Sequence, residues 1–162
     1  EPLALFDYGA ILLYLADKTG QLIPEDAAAR YETIQWLMFQ MGGIGPMFGQ
    51  VGFFNKFAGK DYEDKRPRDR YVAEAQRLLG VLDKRLEGRE WLMGGRYSIA
   101  DIATWPWAVI HDWSGIDISG LDHLKAWLDR MAERPAVARG RNIPPRPSRK
   151  DTTEAGQSII VT

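Results

Sequence analysis

Apolar side chains in this chain return every three or four residues, and that period restricts the fold more than any other feature of the sequence. Ile34, Leu37, Met38 and Met41 stand at i, i+3, i+4 and i+7 within residues 26–41, so a helix there carries them on one face. Tyr71, Ala75, Leu78, Leu82 and Leu86 make a second stripe, with Arg70, Glu74, Asp83 and Lys84 on its expected solvated side. Ile99, Ile102, Ala103, Pro106 and Ile110 give a third, and Leu121, Leu124, Leu128 and Met131 a fourth. A stripe must be buried against another element, so four stripes predict an all-α helical bundle with one shared core. Strand-like alternation is confined to a short extended piece at Leu3–Phe6.

Glycine weakens a helix and proline removes a donor, so Gly42, Gly43, Gly45 and Pro46 are expected to interrupt the first long helix. A second segment over about 47–58 then follows at a new angle. The C-terminal PPRPSRKDTTEAGQSIIVT is rich in proline, charge and small polar residues, which bury too little apolar surface to offset the entropy of ordering. Residues 144–162 therefore read as a mostly disordered tail, with Ile159, Ile160 and Val161 near its end as a strand-like piece able to dock.

At 162 residues the chain has the size of one domain able to bury a core without staples. It has no cysteine, which excludes disulfides, thiolate metal sites and a cysteine nucleophile; any thiol must arrive on a ligand. His111 and His123 lack a second histidine at ligand spacing, so no metal site is expected. A net charge of −1 gives no bulk attraction for nucleic acid or anionic lipid, and both are set aside as partners. No apolar run approaches the roughly 18 residues of a membrane span, and Glu1-Pro2 does not open a secretory signal; a cytoplasmic setting is the expectation.

The sharpest local motif is Tyr97-Ser98-Ile99-Ala100-Asp101. Ser98 can accept the amide hydrogen of the third helical residue while Asp101 reaches back to the Ser98 amide, closing a capping box, with Tyr97 as a staple. Asp101 as a catalytic acid is the rival reading. The spacing favours the structural one, because it answers the orphan amides of a helix start.

Taken together, GAILLYLADKTGQLIP, ETIQWLMFQMGGIGPMFGQ, YVAEAQRLLGVLDKRL and YSIADIATWPW resemble the cytosolic glutathione transferases, and the QMGG.GPM.GQ segment resembles their bacterial Nu class. The likeness runs from about residue 2 to residue 139. It implies that residues 1–20 are the last strand and helix of a thioredoxin-like domain and residues 21–143 the all-helical C-terminal domain. It implies further that the groups activating the glutathione thiol, and the cis-proline loop that grips its backbone, have no match in this chain.

What the resemblance carries over is small. The family pair that binds the γ-glutamyl end of glutathione, Glu-Ser or Gln-Ser, is here Asp7-Tyr8. Aspartate can still face an ammonium, but the Tyr8 ring fills the space where a hydroxyl would cradle a carboxylate. The alternative is that Asp7 caps the helix of residues 8–19 and Tyr8 packs. Arg77 matches an arginine that clamps a glutathione carboxylate, a task suited to a bidentate guanidinium; its alternative is a surface pair with Glu74 or Asp83. Val51-Gly52-Phe53 replaces an Asn-His-rich run of the family, which leaves the acceptor side less polar. Trp36, Phe39, Phe48, Phe53, Phe54, Trp105 and Trp107 read as core and pocket wall.

The implied parent activity is glutathione conjugation or glutathione-dependent disulfide reduction, with glutathione and an apolar electrophile or disulfide as partners and no metal. The chain alone is expected to be inactive. A non-catalytic interaction module and an apolar small-molecule carrier are the other readings. The helix of residues 8–19 is apolar on more than one side through Ile11, Leu12, Leu13, Tyr14, Leu15 and Ala16. Leaving two leucines in water forgoes about 3–6 kcal/mol, so a homo-oligomer, most simply a symmetric dimer, is expected. Light scattering on the full chain and on a version beginning at Gln21 checks this. Association lost on shortening is the expected result; a monomer with residues 8–19 protected from amide exchange contradicts it.

Overall fold

The computed structural model describes residues 3–145. Helix α1 (Tyr8–Thr19) starts on Asp7, whose carboxylate accepts the Gly9 amide at 2.9 Å, and stops at Gly20, where a φ of 64° lets the backbone turn left-handed and return its N–H to Ala16. Asp26 caps α2 (Ala27–Phe39) in the same way, accepting from the Ala29 amide at 2.9 Å. A π-helical turn, Gln40–Ile44, leads into α3 (Gly45–Lys56), and a 3₁₀ turn (Ala58–Asp61) precedes the long α4 (Arg66–Leu86). Then come α5 (Ile99–Ala108), the single-turn α6 (His111–Ser114), α7 (Asp122–Glu133) and α8 (Pro135–Gly140). Among the described residues there is no strand, only two isolated bridges in the turn at 91–96, and the chain is all-α. It divides into two compact units, residues 1–129 and 130–162.

Within the first unit, the stripes meet as amphipathicity requires. Ala16, Ile23, Leu37, Ile99 and Ala103 form one buried cluster, with Leu12, Leu13, Ile34 and Met41 packed on it, so α1, α2 and α5 share a seam. Helix α4 buries Ala75, Leu78, Leu79, Leu82 and Leu86 and packs against α3. At about 1.5–3 kcal/mol for each large apolar side chain, this burial outweighs the modest helix propensities involved.

Five expectations change. The glycine-rich stretch does not interrupt hydrogen bonding: the Gly45 amide reaches back five residues to the Gln40 carbonyl, and Pro46 falls in the first turn of α3, where its missing donor is least costly. Met38 is 47% exposed, because the inner face of α2 and the π turn is Thr33, Leu37, Gln40 and Ile44. Thr33 satisfies itself on the Ala29 carbonyl at 2.9 Å, which makes a polar residue admissible there. Pro106 points outward rather than into the core. Asp83 is half-buried, its carboxylate accepting the Leu124 amide at 2.9 Å near the start of α7. Leu3–Phe6 takes neither helix nor strand, and the tail expected from residue 144 lies outside the described residues beyond Pro145.

The capping box at α5 is present and belongs to a larger assembly. Asp101 Oδ2 accepts the Ser98 amide at 3.1 Å and the Ser98 hydroxyl at 3.0 Å, while that hydroxyl accepts the Ala100 amide at 3.3 Å. Its Oδ1 accepts the Leu92 amide at 2.9 Å and the Trp127 indole N–H at 3.0 Å. Burial pushes the carboxyl above its ordinary pKa, and these donors offset part of that cost. Ser98→Ala removes a cap and is expected to cost about 0.5–2 kcal/mol. Asp101→Ala strands four buried donors, at about 1–3 kcal/mol each, and should cost at least about 4 kcal/mol. Urea unfolding of both variants checks the order; equal losses would contradict it.

Candidate functional site

The start of α1 and the outward face of α5 enclose an open groove of about 350 Å³, lined by Tyr8, Ile11, Leu12, Ile102, Ala103, Pro106 and Trp107. Its depth comes from the arrangement of α5: Ala103 and Ile99 turn inward to the seam, which leaves Ile102 and Pro106 on the opposite flank. Ile11 is 36% and Tyr8 41% exposed, so the groove is continuous with an apolar strip on α1.

Of the residues singled out in sequence, Tyr8 lines this groove and Asp7 precedes it as the N-cap of α1. Asp7 holds the Gly9 amide and has a φ of 69°, a left-handed backbone that few side chains adopt. Tyr8 is part of the groove wall. Its hydroxyl donates to Gln40 Oε1 at 2.9 Å and accepts from Gln40 Nε2 at 2.7 Å. Arg77 lies elsewhere, on the exposed side of α4, with both arms of its guanidinium on Glu74 at 2.8 Å. That pair holds the Glu74 carboxyl below and the Arg77 guanidinium above their usual pKa ranges. Helix-capping Asp7, packed Tyr8 and Glu74-paired Arg77 are thus the arrangements present without ligand.

Gln40 escaped the sequence reading. A glutamine seven residues after Thr33 looks like a break in an apolar face, and the signal available was its position just before three glycines, where a widened turn can tuck an amide inward. Of the aromatic residues, Phe48 and Trp105 are buried and Trp107 is groove wall, whereas Trp36 and Phe39, which meet edge to face at 5.4 Å, and Phe53 and Phe54 are part-buried and outside the groove lining. Among the described residues no cluster of His, Asp and Glu could hold a metal ion, and no helix is long and apolar enough to cross a membrane.

With this geometry in place, the kinship of the chain is clear. It belongs to the glutathione S-transferase family, whose C-terminal domain model matches residues 44–135. The disulfide-bond oxidoreductase YfcG of Escherichia coli (strain K12) is 47% identical over 137 residues, covering 85% of this chain and 63% of that protein. A glutathione transferase from Burkholderia graminis, solved with two glutathione molecules bound per subunit, superposes with a TM-score of 0.84 at 62% identity, covering 91% of this chain and 63% of that one. One from Pseudomonas putida, solved with one glutathione disulfide per subunit, gives 0.82 at 58% identity, covering 89% and 64%. The chain therefore spans a little under two thirds of the length of these relatives.

The contrast between Tyr8 and Arg77 is testable by stability alone. Tyr8→Phe leaves the fully buried Gln40 amide unpaired and should cost about 1–3 kcal/mol. Arg77→Ala removes an exposed pair, and no shift in the urea midpoint is expected. A silent Tyr8→Phe would show that the Gln40 bond contributes nothing to the fold.

Proposed function

We propose that this chain forms the helical wall of a glutathione-dependent disulfide reductase or transferase, and that the groove between α1 and α5 receives the apolar group carried on, or exchanging with, the glutathione sulfur. The observation that carries the reading is the groove itself, an apolar recess lined by Tyr8, the residue that follows the helix-capping Asp7. The glutathione and glutathione disulfide bound in the related structures, and the oxidoreductase activity in the name of the Escherichia coli relative, support it.

In this reading Asp7 supplies a counter-charge to the γ-glutamyl ammonium, and Arg77 exchanges Glu74 for a ligand carboxylate. Tyr8 closes the groove between them and the apolar substituent. Thiol–disulfide exchange needs a thiolate to attack one sulfur of a disulfide while the other leaves. With no cysteine in the chain, both reacting sulfurs belong to ligands. These residues orient the reactants and keep water from the apolar part, and thiol activation falls to the portion of the relatives that this chain does not match. A cytoplasmic setting agrees with a reaction drawing on reduced glutathione.

A second reading has its own support. Leu3, Leu5, Phe6, Ile11 and Leu15, all substantially exposed, lie along the first fifteen residues, which suits an association surface for a homo-oligomer.

Calorimetric titration tests the first reading. S-hexylglutathione is expected to bind at least about tenfold tighter than glutathione, a fraction of what about 0.8 kcal/mol per buried methylene allows; equal affinities, or no binding, would sink it. The chain by itself should not turn over hydroxyethyl disulfide with glutathione above the buffer rate. Turnover abolished by Arg77→Ala would relocate thiol activation to these helices.

A further inference from the structure

We infer that the π turn Gln40–Ile44 is a two-state coupler between α1 and α3, held in its wide form by the bond between Tyr8 and Gln40. Drawing Tyr8 away releases the turn toward an ordinary α-helical register, so a change at the start of α1 is felt at the start of α3.

Gln40 belongs to both halves of the coupling. Its carbonyl accepts the amide of Gly45, five residues ahead, which is the bond that makes the turn wide. Its side chain meets Tyr8, accepting from the hydroxyl at 2.9 Å and donating to it at 2.7 Å. Gln40 is fully buried, so its amide must keep a partner or turn outward to water, and turning outward takes the backbone of the turn with it. Two glycines tie α1 to the same turn. A Cβ on Gly9 would sit 3.0 Å from Met41 Sδ, and one on Gly45 would sit 3.0 Å from Gln40 Nε2 and 3.4 Å from the Tyr8 hydroxyl. At such distances a neighbour has to give way, so the start of α1 rests directly on the π turn.

The other state is a proline-kinked α-helix in which the Gln40 carbonyl takes the Ile44 amide in place of that of Gly45. A π turn is intrinsically the rarer form, but in the α register the Pro46 ring would press on the Gly42 carbonyl four residues back. Local terms therefore oppose one another, and the contact with Tyr8 tips the balance. The turn also has room to change: a Cβ placed on Gly42 would meet nothing within 4 Å. Further along, Phe48 and Val51 are buried and hold the body of α3 where it is, which confines the change to its first turn. Such coupling is reciprocal, so α1 is held most firmly while the turn is wide.

Magnetic resonance on the full chain tests this without any ligand. Scalar coupling across the hydrogen bond joins the Gln40 carbonyl carbon to the Gly45 nitrogen in the wide form and to the Ile44 nitrogen in the α form, and amide saturation transfer at both residues gives the share of the minor form. The native chain is expected to show the Gly45 coupling, with the α register below about 1% of molecules. Tyr8→Phe leaves the Gln40 amide without its partner and should raise the α share at least about fivefold, to above about 1%. Adding Gln40→Met should restore the native register, because an apolar side chain stays buried without a partner. If Tyr8→Phe does not fold, Gly45→Ala, which crowds both members of the bond, carries the comparison in the same direction. The native register in the folded variant, or a double variant that keeps the raised α share, overturns the inference. A general loss of stability would lower the unfolding midpoint and leave the register as it was, which also counts against it.

Discussion

The Asp101 carboxylate accepts hydrogen bonds from three separated places in the chain: the Leu92 amide in the turn after α4, the amide and hydroxyl of Ser98 at the head of α5, and the indole of Trp127 on α7. Each donor is buried, and each would be costly to leave without a partner. One side chain therefore fixes where α5 begins, how the turn at 91–96 reaches it, and which face of α7 is turned inward. The same turn is held from its other side by Arg85, whose guanidinium donates to the Leu92 carbonyl at 2.7 Å and to Glu32 at 2.6 Å and lies 5.1 Å from the centre of the Trp36 ring. Helices α2, α4 and α5 are thus tied through a short non-helical segment.

The site follows from that constraint. With α5 fixed at its head, Ile99 and Ala103 face the seam with α1 and α2, and Ile102 and Pro106 are left to wall the groove. Helix α1 is set from the other direction by the bond between Tyr8 and the buried Gln40. A groove built between two separately anchored helices keeps its shape before a ligand arrives, which lowers the entropy lost on binding.

The main helices, the cap at Ser98 and much of the core were legible in the sequence because they depend on residues three or four apart. The capping box is such a pattern, and so is the stripe from Ala75 to Leu86. Long-range uses of the same side chains were not legible. Nothing in the spacing of Asp101 announces Leu92 or Trp127, and nothing near Asp83 announces the Leu124 amide 41 residues away. Gln40 and Thr33 were missed for a related reason: a buried polar residue looks solvent-facing until its partner is known, one here being local and the other 32 residues away. Pro106 was assigned inward on period alone, whereas a face shared between a core and a groove has the same period throughout. Asp7 and Tyr8 came to notice through family resemblance, and what the structure adds is their setting: a helix cap with a φ of 69° and a ring in the groove wall.

Disulfide exchange between ligands asks a protein mainly for orientation and for exclusion of water, and a cysteine-free helical wall can provide both. The central claim is positional: the substituent on the glutathione sulfur lies between α1 and α5. Intermolecular nuclear Overhauser effects between the hexyl protons of bound S-hexylglutathione and the protein locate it directly. The account predicts cross-peaks to Ile102, Pro106 and the Trp107 ring; cross-peaks confined to residues outside the groove would contradict it.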